Sequence, residues 1–532
     1  MPKGKSDKLV FKPYEQKQPW LVPPSADELI AMDHLVRVVN STIDEMNLEP
    51  LLLKYTKGGG ASRFHPLMLF KVVVYGYMTG VYSSRKLARA VRENILFMWL
   101  AGNQKPDFRT INSFRSSRLK GIMDEVFMAT VKLLAAKGYV KLENYFVDGT
   151  KIESASGRYT FVWKRAVMTN EKKLDDKLKA YIRQAERVSE EENKEYGDRD
   201  LEEVGEGIVF SAEDVKALAE TLNEKIRALG EDGEAKNDKK KLKREVRTIE
   251  RELQPRKEKY EEYRAVAGDR KSFSKTDHDA TFMRMKEDHM RNGQLKPGYN
   301  VQIGTENGFV LGYDIYSNPT DTKTLTPHLE KVEALWGKVP ERVIADAGYG
   351  SHENYEMLAE KKIEAYVKYG MFDKDRKYRK SASRKYRSDT WEYVKEKDCY
   401  ICPEGEELKY FGSATNKTEA GYEQTLRMYK CTFCEACSQR MLCAKGRRER
   451  QVQRNEKLLE LQRMARERLM SEQGVRLRKR RAHENETVFG QIKSNKGFRR
   501  FQLRGMEKVK IEWGLLAIGY NLEKLGKKMV KG

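Results

Sequence analysis

Two short apolar runs, far apart in the sequence, each stop on an aspartate with a glycine close behind. In NYFVDGTKIES the apolar run stops on Asp148, and in RVIADAGYGS it stops on Asp346. Short runs rich in β-branched and aromatic residues are typical of buried strands, and a strand that stops on an acid presents a carboxylate at its end. We therefore expect a sheet that carries two carboxylates at strand ends. The alternative is that each aspartate only caps a loop.

The sequence before and after Asp346 predicts the rest of a mixed sheet. GYNVQIGT and GFVLGYDIYS read as strands, and the Asn307-Gly308 dipeptide between them favours a tight hairpin turn. A helix near residues 322–336, the helix HENYEMLAEKK and the strand EAYVKYG complete the pattern. A hairpin followed by alternating helix and strand predicts an α/β fold, with a mixed sheet flanked by helices.

A third carboxylate lies on a predicted helix near the C-terminus. In HENETVFGQIK, Glu486 shares one helical face with His483, Gly490 and Lys493, whereas Glu484 points to roughly the opposite face. Mg²⁺ prefers carboxylate oxygens, and two such ions can activate a nucleophile and stabilise the leaving oxygen of a phosphodiester. Three acidic side chains from distant parts of the chain would supply such a site.

The charge balance predicts an anionic partner. Lys and Arg outnumber Asp and Glu by 103 to 80, a net charge of +23. Basic surface gains affinity for nucleic acid by releasing condensed counterions, so DNA or RNA fits best. The alternative is a basic protein without such a partner. The longest apolar run, near residues 67–74, is too short to cross a bilayer, and we expect a cytoplasmic, nucleoid-associated protein with no membrane contact.

The N-terminal part predicts three helices with basic residues at their turns. Arg109, Arg115 and Arg118 follow the helix-start signal at Pro106 and Asp107. This pattern resembles a helix-turn-helix reader of DNA, and we assign the three arginines to DNA binding. The alternative is a small helical bundle with surface arginines.

Two further basic segments flank the predicted helix that carries Glu486. They read RLRKRRAH and FRRFQLRG, and the second interleaves arginine with phenylalanine. Next to a phosphodiester-cleaving centre, Arg499, Arg500 and Arg504 are interpreted as grips on the DNA backbone, with Phe498 or Phe501 packing or stacking on a base. A solvated basic face is the alternative.

All six cysteines lie between residues 399 and 443. They form C-x2-C at Cys399 and Cys402, and C-x2-C-x2-C-x5-C from residue 431 onward, at Cys431, Cys434, Cys437 and Cys443. Paired C-x2-C steps can place thiolates around tetrahedral zinc, and some four of the six would close such a structural site. The alternative is a small apolar cluster of free thiols.

A set of sequence blocks, in order along the chain, resembles a known family. The blocks read VDGTKIES, TDHDATFM, GYNVQIGTENGFVLGY, IADAGYGSHENYE and ENETVFGQIKSNKGFRRFQLRG. They are similar to insertion-sequence DDE transposases with an RNase H-like core, in the branch whose last block reads E-x-V-F-G-x-I-K. FHPLMLFKVVVYGYMTGVYSSRKLARAV and PDFRTINSFR resemble that group's N-terminal helical domain.

The resemblance implies roles for particular residues. Asp148, Asp346 and Glu486 would be the catalytic, metal-binding acids, and Lys493 stands where a related signature has its phosphate-binding lysine. That signature places Tyr and Arg before the glutamate, but this chain has Lys479 and Ala482 there, with Arg481 displaced by one position. Arg481 is assigned to DNA binding with this departure. Asp277 and Asp279 are runner-up acids that we expect to order the chain as it re-enters the sheet.

The predicted organisation follows from these signals. In residues 156–275, Val215, Leu218, Leu222, Ile226 and Leu229 repeat at heptad-like spacing behind a capping signal at Ser211 to Asp214, which predicts a helical hairpin. The segments are a flexible arm 1–24, a helical DNA-binding domain 25–140, first core strands 141–155, a charged helical insertion 156–275, a continued core 276–370, a basic Cys-containing insertion 371–475, and a catalytic and a closing helix in 476–532.

The sequence therefore predicts a DDE-type DNA transposase. It would use two Mg²⁺ ions, with Mn²⁺ as a substitute, to hydrolyse DNA at element ends and join the freed end to target DNA. The resemblance implies double-stranded DNA with terminal inverted repeats as substrate, and a homodimer or higher oligomer on that DNA. The alternatives are an RNase H-like nuclease without strand transfer and an inactive, transposase-derived DNA-binding protein.

Overall fold

The computed structural model describes residues 25–55, 64–157, 160–196, 210–228, 233–285, 295–373, 385–418, 421–445 and 447–529. The predicted arm 1–24 and Leu229 lie outside these ranges. The α-helices are Leu35–Glu45, Glu49–Leu52, Pro66–Met78, Ser84–Glu93, Ile95–Leu100, Phe108–Ser113, Met123–Ala136, Lys164–Tyr196, Ala212–Ala228, Gly233–Thr248, Gln254–Ala267, Leu325–Trp336, His352–Glu360, Arg440–Cys443, Glu456–Met470, Glu472–Gly490 and Met506–Met529.

The strands fall into a central mixed sheet, an antiparallel sheet in the cysteine segment and one small pair. They are β1 Asn144–Glu153, β2 Phe161–Trp163, β3 Ser272–Ser274, β4 Thr281–Arg284, β5 Leu295–Glu306, β6 Phe309–Tyr316, β7 Arg342–Ala345, β8 Glu364–Val367, β9 Glu392–Val394, β10 Cys399–Ile401, β11 Glu407–Lys417, β12 Glu423–Cys431 and β13 Gln451–Arg454.

The central sheet confirms the mixed α/β fold. Its order is β4, β5, β1, β7, β8, and β6 also pairs with β5. The β1–β5, β4–β5 and β5–β6 pairs are antiparallel, whereas β1–β7 and β7–β8 are parallel. The predicted hairpin turn is present: Asn307 and Gly308 have φ values of 54° and 73°, the left-handed backbone that a tight turn between twisted strands requires.

The helices before the sheet share one apolar core with it. That core runs from Ile30 through β1 and β5 to Leu525 in the Met506–Met529 helix. This last helix packs on the Pro66–Met78 helix and also on β6. The N-terminal helices are therefore continuous with the sheet in packing, which sequence order alone did not indicate.

A buried polar network joins the same helices. Glu512 is fully buried and accepts hydrogen bonds from the backbone N–H groups of Gln502 (2.9 Å) and Leu503 (3.0 Å) and from the Tyr77 hydroxyl (3.0 Å). Arg115 donates to Tyr77 Oη at 2.9 Å and to the Tyr82 carbonyl at 2.7 Å. Burial raises the pKa of Glu512, and the nearby Arg115 opposes that rise.

The segment between β2 and β3 forms a larger unit than the predicted hairpin. It contains the four helices from Lys164–Tyr196 to Gln254–Ala267, with a separate apolar core that includes Val215, Leu222 and Ile226. Strands β2 and β3 pair antiparallel and close its base. The hairpin prediction was incomplete because it used the pattern of one helix only. Leu242, Val246, Ile249 and Leu253 also repeat at heptad-like spacing and join the same core.

The cysteine segment contains strands that the sequence did not predict. They form an antiparallel sheet in the order β13, β12, β11, β10, β9. Its small apolar cluster includes Trp391, Tyr400, Leu408 and Tyr429. No helix among the described residues is both long and apolar enough to span a lipid bilayer.

One buried carboxylate fixes the start of β1. Glu306, at the end of β5, accepts four backbone N–H groups, from Lys141, Leu142, Glu143 and Asn144, at 2.7 to 2.9 Å. Glu306 is only 3% exposed. These bonds anchor the strand that carries Asp148.

We expect Glu306→Gln to lower the free energy of unfolding by about 1–3 kcal/mol, because an amide nitrogen would then face N–H donors and leave them unsatisfied. Two measurements check this: the midpoint of urea unfolding, followed by a signal from the sheet, and hydrogen exchange at residues 141–144. Glu341→Gln is the matched control, because Glu341 is a surface acid whose side chain is 60% exposed. Equal midpoints for the two variants would contradict the anchoring role.

Candidate active site

The register of the parallel strands brings Asp148 and Asp346 together. The last paired residues of β1 and β7 are Phe146 and Ile344. Each aspartate lies two residues beyond that pair, so continuing the register sets them abreast. Adjacent strands lie about 4.8 Å apart, which puts two carboxylates from distant parts of the sequence side by side.

The prediction that β1 stops on Asp148 was wrong. β1 continues to Glu153 in its antiparallel pairing with β5, and Asp148 faces Ile303 across that pair. Gly149 is therefore not a turn residue; it lies in the strand, and a Cβ there would come within 2.3 Å of Gln302 Nε2. The strand that ends is β7, after which Asp346 caps a 3-10 turn by accepting the Gly348 N–H at 2.9 Å.

A third aspartate lies at the same edge, and the sequence interpretation missed it. Asp321 Oδ1 accepts hydrogen bonds from Asn300 Nδ2 and Gln302 Nε2, both at 2.8 Å. A Cβ on Gly149 would come within 2.8 Å of Asp321 Oδ1, and one on Gly348 within 3.6 Å of its Oδ2. Asp321 therefore lies next to the backbone of both other aspartates. The signal that could have found it is an acid five residues after β6, in NPTDTKT.

The charges of this edge converge on one buried ring. Tyr349 is fully buried, and burial together with the carboxylates of Asp321, Asp148 and Asp346 raises its pKa well above the ordinary value for tyrosine. Arg481 opposes that rise, so its guanidinium also lies near the ring. Tyr349 Oη donates to Gln302 Oε1. The edge therefore concentrates three acids, one guanidinium and a neutral phenol.

Arg481 comes from the Glu472–Gly490 helix, which packs across the sheet. Its Nη1 lies 3.7 Å from Asp148 Oδ2, and both side chains are mostly buried, at 19% and 13% exposure. The neighbouring Arg480 lies over the Phe146 ring, 5.2 Å from its centroid. The helix therefore presents Arg481 to the Asp148 carboxylate of β1.

Glu486 lies on another side of this helix and is exposed to solvent. At about 100° per residue it is turned about 140° from Arg481. Glu484 is buried and accepts the Gly308 N–H and the Arg480 Nε–H, so the two glutamates do point apart as predicted. Within the described ranges, no three His, Cys, Asp or Glu side chains form a group that could hold a metal ion. The metal-binding role of Glu486 stays a prediction.

The basic residues after this helix hold the chain that follows β1. Arg500 donates to the carbonyls of Ser154 (2.9 Å) and Ser156 (2.6 Å), and Arg504 donates to that of Ala155 (3.1 Å). Both residues are exposed, so further N–H groups of each guanidinium remain at the surface. With Lys508 they line a cavity of about 560 Å³.

Lys493 and two phenylalanines beside them are buried. Lys493 lies in the π-helical turn Gln491–Asn495 and is 6% exposed, and its carbonyl accepts a hydrogen bond from Arg499 Nε at 3.4 Å. Phe498 and Phe501 are each 1% exposed and contact each other edge to face, which favours packing over base stacking.

The N-terminal arginines differ from one another. Arg109 is exposed, and its guanidinium lies 5.7 Å from the centroid of the Phe108 ring. Arg118 is half-buried and donates to the Lys54 carbonyl at 3.0 Å. Arg115 is 3% exposed and belongs to the Glu512 network, so the structure does not support its assignment to DNA binding. A phosphate cannot reach a guanidinium enclosed between two helices.

The two runner-up acids order the chain as expected. Asp277 Oδ1 accepts the Tyr299 hydroxyl at 2.7 Å and the Gly505 N–H at 3.1 Å. Asp279 accepts the Met506 N–H at 2.7 Å. Together they tie the segment before β4 to the start of the C-terminal helix, away from the carboxylates of β1 and β7.

Comparisons with known families give two matches, which fit the mixed α/β fold. The family described as "Transposase DDE domain" matches residues 401–526, and the family described as "Transposase domain (DUF772)" matches residues 24–117. The first range includes Arg481, Glu486 and Lys493, and the second covers most of the N-terminal helices. No curated protein and no solved structure matches the chain.

These two matches support a transposase of the DDE type. More particularly, they support the resemblance to insertion-sequence DDE transposases that the ordered blocks indicated. The matches indicate a transposase function, with DNA as the partner that the family suggests.

We expect Gly149→Ala to destabilise the sheet by about 1–3 kcal/mol, because the added methyl group would overpack against Gln302 and Asp321. Gly490→Ala is the matched control, since nothing lies within 4 Å of a Cβ there. In a helix, that change should stabilise by up to about 1 kcal/mol. Thermal unfolding of both variants tests the crowding; unchanged stability of Gly149→Ala would show that the acids are not packed around this glycine.

Proposed function

We propose that this protein cleaves DNA at the ends of a mobile element and joins those ends to target DNA, with Asp148, Asp346 and Glu486 as its metal-binding acids. The observation that carries the proposal is the β1–β7 register, which sets the two aspartates abreast at one sheet edge. The mixed sheet supports the RNase H-like core that the sequence blocks imply.

The donors at this edge fit Mg²⁺. Carboxylate oxygens are hard ligands, and Asp321 adds a third acid beside the two aspartates. Two bound Mg²⁺ ions, or Mn²⁺ in their place, would supply an activated water and stabilisation of the leaving oxygen. Asp148 and Asp346 would hold the ions, and the Asn300 and Gln302 amides would orient Asp321.

Arg481 and Glu486 then have complementary roles on one helix. Arg481 offsets the negative charge of Asp148 and is placed to move to a phosphate when DNA and cations arrive. Leu477 and Val488 are buried and oppose rotation of the whole helix. Glu486 would instead join by a local change in the turn that carries it, just before the π-helical turn Gln491–Asn495.

The DNA path proposed here follows the basic cavity at the far end of β1. Arg500, Arg504 and Lys508 line it together with Asn112 and Ser116 from the N-terminal helices. Guanidinium and ammonium groups at such a junction can hold phosphates of the same duplex from both sides. The duplex would carry the terminal inverted repeats, and a homodimer or higher oligomer would bring two ends together.

We expect Asp148→Asn, Asp346→Ala and Glu486→Gln each to lower Mg²⁺-dependent cleavage of the flanking inverted-repeat DNA at least about 100-fold, because each removes a charge that holds metal. Glu472→Gln is the matched control for Glu486→Gln: it lies on the same helix, with a side chain 88% exposed, and should cleave like wild type. Cleavage by Glu486→Gln at the wild-type rate would remove Glu486 from the site.

The same assay with end-labelled DNA separates the rival functions. Joined products indicate a transposase, whereas cut but unjoined DNA indicates an RNase H-like nuclease without strand transfer. DNA that stays intact in both Mg²⁺ and Mn²⁺ indicates an inactive, transposase-derived DNA-binding protein.

A separate prediction concerns Asp321. Asp321→Asn should raise the Mg²⁺ concentration for half-maximal cleavage about 10- to 100-fold, because an amide would face the two amide donors and no longer present a charge to the site. Asp389→Asn, at an exposed ion pair with Arg387, is the control. A variant that loses thermal stability but keeps the wild-type Mg²⁺ dependence would show that Asp321 is only structural.

A further inference from the structure

Five of the six cysteines line one small cavity at the end of the antiparallel sheet. They are Cys402, Cys431, Cys434, Cys437 and Cys443. The cavity volume is about 30 Å³, room for one water-sized occupant. All six cysteines are free thiols, and Cys399 does not line this cavity. The charged groups that act on Cys399 are instead Glu407, Lys397, Lys409 and Asp398.

Separate elements deliver these thiols to the cavity. Cys402 lies in the turn between β10 and β11, Cys431 ends β12, Cys434 lies in the next turn, and Cys443 ends the short Arg440–Cys443 helix. These four also pack in the apolar cluster of the sheet, whereas Cys437 does not belong to it. An occupant bound by the four would cross-link two turns and a helix.

Backbone N–H groups already point at two of the sulphur atoms. Cys402 Sγ accepts the Glu406 N–H at 3.3 Å within the tight CPEGE turn, where Gly405 has a φ of 88°. Cys434 Sγ accepts the Arg450 N–H at 3.3 Å. Such N–H donors stabilise thiolate, and they are the outer contacts that orient and tune metal-binding sulphur.

The four thiols also affect one another electrostatically. Burial raises the pKa of Cys431 to about 12, and Cys434 and Cys402 act in the same direction. Burial likewise raises the pKa of Cys443, with contributions from Cys434 and Cys402 in the same direction. Several sulphur atoms around one small cavity are the donors that a soft divalent cation prefers.

We propose that Cys402, Cys431, Cys434 and Cys443 bind one structural zinc ion. Four thiolates in tetrahedral arrangement are the donor set of closed, structural zinc sites. Among the described residues, the cysteine side chains are not arranged as a metal-binding group. The sulphur atoms must therefore move closer together as the ion binds. The ion would stabilise a sheet whose own apolar cluster is small. This site is independent of the proposed DNA cleavage.

The direct test uses the full-length wild-type protein, reduced and stripped of metal. Titration with Zn²⁺ should show one tightly bound ion per chain, and Co²⁺ in its place should give the strong sulphur-to-metal absorption of four thiolates. Absence of 1:1 Zn²⁺ binding would overturn the proposal. A disulfide between any two of the four cysteines in the metal-free protein would also overturn the proposal, if zinc still binds at another place in the chain.

Matched serine variants locate the ion. Cys434→Ser should weaken zinc retention against a competing chelator more than about tenfold, whereas Cys399→Ser, also at a buried cysteine, should retain zinc like wild type. Cys437→Ser should also retain it. Loss of zinc from Cys399→Ser or Cys437→Ser, with retention by Cys434→Ser, would overturn the ligand assignment. If Cys434→Ser does not fold, the Co²⁺ spectrum of wild type still decides the number of thiolates.

Discussion

The parallel pairing of β1 with β7 is the constraint on which the site depends. Only three residue pairs join these strands, but they fix which residues beyond the ladder come abreast. The long helical unit between β2 and β3 leaves the sheet and returns beside its own starting point, so it does not disturb that register. Glu306 adds a second restraint by holding the start of β1 in place. Both restraints act on the start of β1, before Asp148, and together they limit where Asp148 can lie.

This placement has an electrostatic cost that the surroundings only partly offset. Asp148, Asp321 and Asp346 lie around the buried Tyr349, and like charges in a partly buried space repel one another. Arg481 supplies one positive charge, and the amides of Asn300 and Gln302 supply neutral donors. The site therefore keeps a net negative charge, which favours the binding of cations and destabilises the site when none is bound. This charge is the physical basis for expecting metal-dependent chemistry here.

The sequence predicted those features that local patterns determine. Periodicity and turn residues predicted the Asn307-Gly308 turn, the mixed sheet and the two aspartates that follow the paired residues of β1 and β7. Asp321 was missed because its loop has no strand pattern of its own and its partners come from β5. Arg115 was taken for a surface residue because its burial depends on Glu512, which is distant in sequence. The cysteine sheet was missed because its strands are polar: β11, although 11 residues long, is exposed along most of its length.

The orientation of the Glu472–Gly490 helix explains why the third acid is the hardest residue to place. A helix packed on a sheet can direct only one narrow side to it, and in this structure that side carries Arg481 rather than Glu486. Arginine is the favourable neighbour of an aspartate when no cation is bound, and a glutamate at the same place would add repulsion. Under the proposed function, cations and DNA would reverse both preferences at once, because they would neutralise the aspartates and offer Arg481 a phosphate. The approach of Glu486 would then be coupled to substrate binding by charge, which would restrict cleavage to the complex with DNA.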